Sequence, residues 1–424
     1  MIISENLIKY KLNNGLNVIL YSDKSFPDVA INIWYKVGAA NEKKGETGLA
    51  HLCEHLMFQG SVNVPKEAHF KFIEEVGGVL NGSTSQDRTN YYETVPANNL
   101  ELALWLESDR MGLLLPALDD EKFKNQLNVV INERKQRYDN KPYGRAWELI
   151  FSNLFPENHP YHNPVIGWQT DLDNMTIDKA RQFISTYYSP NNASLVIAGN
   201  LDIEETKEMV EAYFGEFKPT DIPKINFTES NLTETRQMVY YDDVKLPAVY
   251  MVWQAGKEFT DEDFALTLAA DILDESKTKH LYKKLVYDEK VAVGASVLPI
   301  LLKQDGLFII SAIAHDLNSI DRMKQLIWEV INNIKKEKFN DTEVKRYLNK
   351  YKSSKIFGYQ KISGLANKMN FYNSVLGTPD GFDFEEKKYN EINAELVSKY
   401  FIECVEKPYF ELTILPKEVK NDNR

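Results

Sequence analysis

His51-Leu52-Cys53-Glu54-His55 places two imidazoles and a carboxylate within about one helical turn. Side chains at i, i+3 and i+4 share a helix face. His51 and His55 can therefore aim at one ion, with the Glu54 carboxylate beside them. Neutral imidazoles suit Zn²⁺, which in hydrolytic sites takes three protein ligands and leaves a fourth position open. A neighbouring carboxylate is then placed to act as a general base. The flanking Ala50, Leu52, Leu56, Met57 and Phe58 bed the turn in apolar surroundings, where an unpartnered histidine would be costly. Cys53 precedes Glu54 by one residue, points off the ligand face, and reads as a small core hydrophobe.

A third ligand must come from elsewhere. Residues 119–138 open with acids and close with bases, as a helix dipole favours. Phe123, Leu127, Val130 and Ile131 give this stretch an apolar stripe that packs inward. Glu133 lies at the end of the stripe, where a carboxylate could reach a buried metal. On spacing alone it reads more readily as a solvated residue or an ion-pair partner of Arg134 or Arg137.

The order His-x-x-Glu-His, with Glu133 in Val130-Ile131-Asn132-Glu133-Arg134-Lys135-Gln136, marks an inverzincin. It resembles the family of pitrilysin, insulin-degrading enzyme and the mitochondrial processing peptidase, in its short bacterial form. Further matching segments are Gly45–Ala50 and Met57–Ser61 around the motif, Gly77–Thr84, Asp87–Tyr92, Asp139–Gly144 and Tyr188–Ala193. The likeness covers essentially the whole chain and is densest over 10–215.

The resemblance implies an α+β fold of two homologous αβ domains, each a mixed β-sheet with helices on one face, together forming half of a clamshell chamber. It implies one Zn²⁺ per chain on His51, His55 and Glu133, with Glu54 as catalytic base. It also implies that the strand around Val79–Thr84 holds an extended peptide by edge pairing, with Asn81 and Gly82 nearest the scissile bond. Without the family, that segment reads as a bent edge strand.

Two departures stand out. Many relatives carry a second acid seven residues before the ligand glutamate, where this chain has Gln126, which can orient a ligand but adds no charge. Self-sufficient relatives also carry, in the second half, an Arg and a Tyr that grip the substrate carbonyl. The matching segment, residues 281–293, has Val286 and Val293 at those positions, with Tyr287 one residue out of register. A partner supplying the pair is therefore expected: a homologous, zinc-free subunit, making a heterodimer. The expected activity is endoproteolysis of extended peptides or leader and presequence segments. The alternative is a non-catalytic peptide-binding or scaffold subunit of the same fold, against which stands retention of both histidines and both glutamates. A zinc hydrolase acting on something other than peptides is a third reading.

Composition narrows the field less. The chain has 424 residues, 43% of them hydrophobic, enough for two to three domains. Its formal net charge of −12 argues against nucleic acid and suits basic peptides. Two cysteines, Cys53 and Cys404, make no disulfide framework. No apolar run is long enough to span a membrane, and Leu307–Ala314 is at most a buried strand. The N-terminal MIISENLIKYKLNNG lacks the basic head and apolar core of a secretory leader. A cytoplasmic location is expected for the chain as it stands, and a periplasmic one if a leader has been removed.

The chain also reads as a diverged tandem repeat with a period near 218–220. Pro27–Trp34 is echoed by Pro247–Trp253, and Leu195-Val196-Ile197 by Leu412-Thr413-Ile414. Each half runs strands, helices and a closing strand. Residues 1–216 form the expected zinc-binding domain, 217–235 a polar linker with Pro219 and Pro223, and 236–424 a homologous inactive domain. In the second half, helix 261–275 carries Ala270–Asp274 where the metal motif would stand, and no histidine is among them. His159-Pro160-Tyr161-His162 reads as a structural loop, and the basic segment Lys335–Lys361 as a solvated amphipathic face.

Overall fold

The computed structural model describes residues 6–227, 229–274 and 280–418. The first five residues of the N-terminal segment and Glu275 of the expected helix 261–275 lie outside them. Among the described residues eleven strands form two sheets: β1 (Leu7–Lys11), β2 (Asn17–Ser22), β3 (Asp28–Tyr35), β4 (Val79–Thr84), β5 (Thr89–Pro96) and β6 (Ala193–Gly199) in the first, and β7 (Arg236–Asp242), β8 (Ala248–Ala255), β9 (Ala292–Leu301), β10 (Gly306–Ala314) and β11 (Tyr409–Pro416) in the second.

The two sheets repeat one topology. The first runs β1-β2-β6-β3-β5-β4 and the second β7-β11-β8-β10-β9. In each, the closing strand lies parallel to its outer neighbour (β6 with β2, β11 with β7) and antiparallel to the next (β3, β8). The spacing of Leu195–Ile197 and Leu412–Ile414 thus marks equivalent central strands, whose side chains here are almost all buried. The continuous apolar run of β6 fits a strand covered on both faces, whereas in β11 the buried Glu411 and Thr413 alternate with Phe410, Leu412 and Ile414. Among the described residues β4 pairs only with β5 and β9 only with β10, so each sheet ends in a free edge.

The compact units do not follow the halves of the chain. One unit comprises Met1–Arg134, Asn163–Phe227 and Lys355–Gly381, the other Lys135–His162, Thr228–Ser354 and Phe382–Arg424. In the first, helix α2 (Ala68–Glu75) lies against β4, while α1 (Leu49–Leu56) and α3 (Leu100–Ala117) cover the face of β5 that carries Tyr91. The opposite face receives helix Ile362–Leu376, contributed by the second half. Asn367 there accepts hydrogen bonds from Asn32, Trp34 and Asn90, and Asn370 donates to the Asn32 carbonyl at 2.7 Å. In the second unit, helix Ala146–Leu154 packs on β11, and the core gathers around Trp253, Phe308 and Phe401. No described helix is long and apolar enough to cross a membrane.

Candidate metal centre and general base

Gly48 caps the start of α1, with a φ of 85° that suits glycine. The buried start of a helix leaves backbone N–H groups without helical acceptors. The Glu42 carboxylate supplies two, accepting from Gly48 N at 3.0 Å and Ala50 N at 2.8 Å. Leu49, Leu52, Cys53 and Leu56 turn inward, which leaves His51, Glu54 and His55 on the half-buried face.

Helix α4 (Asp120–Arg134) stands alongside, with Phe123 and Val130 buried and Leu127 and Ile131 half-buried. The α-helix stops at Arg134, earlier than the charge pattern implies; residues 135–139 continue as a wider π-type turn. Glu133 is thereby on the last α-helical turn. Its Oε2 lies 3.7 Å from His51 Nε2 and 3.5 Å from His55 Nε2.

Two ligand atoms about 2.05 Å from a tetrahedral zinc are about 3.3–3.4 Å apart, so this donor set and spacing fit the ion with a shift of a few tenths of an ångström. The three atoms all lie within 4.8 Å of one another. His55 Nδ1 is 3.3 Å from Gln126 Oε1. A hydrogen bond there places the proton on Nδ1 and leaves the Nε2 lone pair facing Glu133, the tautomer a metal requires.

Glu54 reaches toward β4. Its Oε2 accepts a 2.5 Å hydrogen bond from the Thr84 hydroxyl. Burial pushes its carboxyl above the usual range, against the opposing effects of Thr84 and His55. Gly82 lies directly over it: a methyl group on Gly82 would sit 3.1 Å from Glu54 Oε1 and 3.2 Å from Phe58. Gly82 and Thr84 share one face of the strand, no further strand pairs with β4 among the described residues, and the Gly82 N–H donates to Asn81 Oδ1 at 2.8 Å. Asn81, on the other face, is exposed.

Cys53 is buried as a free thiol, pushed well up by desolvation. His159 is also buried, stacked on Phe155 at 4.4 Å, and the Tyr161 hydroxyl accepts from Gln304 N. Val286 is half-buried, Tyr287 is 51% exposed with its ring 5.7 Å from Tyr282, and Val293 is 46% exposed on β9.

Among the described residues a second group, His69, Glu93 and Glu107, also has ligand-like spacing. It is fully buried, and Arg110 already fills the place of a cation. The Arg110 guanidinium pairs with Glu107 and lies 4.1 Å over the Tyr91 ring, while His69 bonds Glu93. Burial raises Glu93 and Glu107 to about 7 each and lowers His69 to about 3. One fixed positive charge faces two carboxyls, which makes this cluster structural.

The sequence singles out the motif residues but not the contacts of Glu42 and Thr84. Thr84 had a local signal, the i, i+2 relation to Gly82 on a strand. Glu42 acts on backbone groups only six and eight residues on, through a contact with no periodic signature.

Residues 17–167 match the family model described as insulinase (peptidase family M16), and residues 174–351 the one described as peptidase M16 inactive domain. The chain belongs to this metallopeptidase family, that of pitrilysin and insulin-degrading enzyme. It is 28% identical over 377 residues to the zinc protease PqqE of Helicobacter pylori, covering 87% of this chain and 84% of that protein. A crystal structure of a protease from Helicobacter pylori superposes with a TM-score of 0.89 at 25% identity, over 97% of this chain and 99% of the other. The probable β subunit of the mitochondrial processing peptidase of Arabidopsis thaliana is 24% identical, over 84% of this chain and 68% of its own length.

Proposed function

We propose that this chain is a zinc-dependent endopeptidase acting on extended peptides or leader segments, and the metal-bearing subunit of a heterodimer. The observation that carries the reading is the convergence of His51, His55 and Glu133 on one point, with Glu54 beside them under an open strand edge. Zinc held by His51, His55 and Glu133 would supply Lewis acidity toward a scissile carbonyl and lower the pKa of a water molecule.

The protein's own groups do the rest. The β4 edge takes up the peptide backbone, with Asn81 and Gly82 flanking the bond to be cut. Glu54, fixed through Oε2 by Thr84, presents Oε1 on the Gly82 side. There it takes a proton from the attacking water and later passes it to the leaving amine. Gln126 keeps the His55 imidazole in its binding tautomer. The names of relatives support protease chemistry and zinc, and the match of residues 174–351 to an inactive domain agrees with the finding that, among the described residues, no group with ligand-like spacing falls there.

The test is metal analysis of the purified protein combined with cleavage of an unstructured peptide library in the presence of its homologous partner. About one zinc per chain and cleavage abolished by EDTA are expected. A chain that binds no zinc would leave the scaffold reading in its place. Bound zinc with no peptide cleaved would point to another hydrolase substrate.

A further inference from the structure

We propose that a clamp built on residues 166–168 sets how tightly this chain holds its metal, with Arg134 and Glu42 as its positioning residues. The inference rests on reading His51, His55 and Glu133 as zinc ligands. Two of these ride on α1 and the third on α4, so the spacing depends on what locks one helix to the other. Ligand bonds tolerate errors of only about 0.2 Å.

Gly167 touches both helices. A methyl on Gly167, whose φ is 84°, would lie 2.5 Å from Gly48 Cα and 2.4 Å from the Thr47 carbonyl, so only glycine lets the loop reach the start of α1. Gly48 shows the reciprocal fit: a methyl there would lie 2.6 Å from the Ile166 carbonyl. From the other side Arg134, next to Glu133 and only 3% exposed, donates from Nη1 to the Gly167 carbonyl at 2.8 Å.

The loop is tied to α1 a second time. Thr47 Oγ1 accepts from Trp168 N at 2.9 Å and donates to Asp171 Oδ2 at 2.7 Å. Glu42 then fixes rotation of α1 by accepting from both Gly48 N and Ala50 N. The residue beside the third ligand and the helix start before the first ligand are thus held on one glycine.

Outer partners of metal ligands typically control affinity by about 10–100-fold. Arg134→Met removes the donor to Gly167. Glu42→Gln replaces one acceptor oxygen by an N–H₂ group that faces backbone N–H. Both should weaken zinc by about 10–100-fold in competition with a chromophoric chelator. The d–d spectrum of the Co²⁺-substituted protein should change as well. Leu412→Ala, a buried core truncation in the other unit, controls for general destabilisation and should keep wild-type affinity. If Arg134→Met fails to fold, Arg134→Lys, which retains a donor, should fall between wild type and a tenfold loss.

Zinc affinity unchanged in the Arg134 and Glu42 variants, with the wild type binding tightly, would overturn the clamp. So would an equal loss in Leu412→Ala. A wild-type chain without zinc affinity would instead sink the reading on which the clamp rests.

Discussion

Glu54 and His55 are neighbours with separable work, and substitution can tell them apart. Glu54→Gln keeps the shape and the Thr84 contact but cannot accept the water's proton. It should retain zinc and lose about 10²–10⁴-fold in rate, as removal of a general base does. His55→Ala should lose the metal and the activity together. Near wild-type turnover by Glu54→Gln would remove Glu54 from the role of base. Cys53, buried on the opposite side of α1, should be dispensable: Cys53→Ala should keep zinc and fold, and EDTA, not thiol alkylation, should act on the metal chemistry. Zinc loss in a folded Cys53→Ala protein would show a misassigned ligand. At this scale the motif was legible because its spacing equals the helix repeat. Glu133 was not legible from spacing alone, since an acid on a charged helix has many ordinary uses; the resemblance singled it out. Glu42 and Arg134 carry no periodic signature, and their partners are backbone groups on other segments.

The strand–helix contact behind Gly82 depends on a charged layer that hydropathy would not place inside. Arg110 on α3 supports the Tyr91 ring on β5, and Gly82 on β4 pairs with Tyr91. Removing one member of a buried ion cluster commonly costs about 3–5 kcal/mol, because it strands the remaining charge. Arg110→Met should therefore lower the urea stability of the folded chain by about that amount at neutral pH. The sign with pH follows from the two carboxyls. Burial already holds Glu93 and Glu107 at about 7, and loss of Arg110 raises them further. The folded variant then binds more protons than its unfolded chain up to a higher pH, so its deficit should shrink as pH falls from 8 toward 5. A deficit that grew on acidification would show the cluster to be charged differently. Helix Ile362–Leu376 illustrates a different limit of sequence reading. Asn367, Asn370 and Asn373 form a polar stripe that ordinarily means solvent, yet it meets Asn32, Trp34 and Ser194 on the first sheet. Polar satisfaction by a segment so distant in sequence leaves no local trace.

At the scale of the whole chain, repetition was the most readable property, because central strands in equivalent positions need similar apolar runs. The exchange of helices Ala146–Leu154 and Ile362–Leu376 between halves was not readable, since connectivity and packing are separate matters. The repeat also exposes what the chain lacks. On the register that the resemblance implies, its second half has Val286 and Val293 where an Arg and a Tyr are expected, and Tyr287, one residue out of that register, has its ring against Tyr282. Two copies of this chain would lack the pair twice over, so a homodimer does not restore it. The predicted partner is a homologous subunit without the metal motif, carrying Arg and Tyr seven residues apart in its own second half. Purified alone, the chain should bind zinc and cleave peptides weakly. Adding the partner should raise the rate by about 10²–10³, the usual worth of an oxyanion donor. Substituting the partner's Arg or Tyr should take most of that gain away while leaving zinc on this chain. Full specific activity from the isolated chain, unchanged by any homologous subunit, would mean that another group in this chain stabilises the oxyanion.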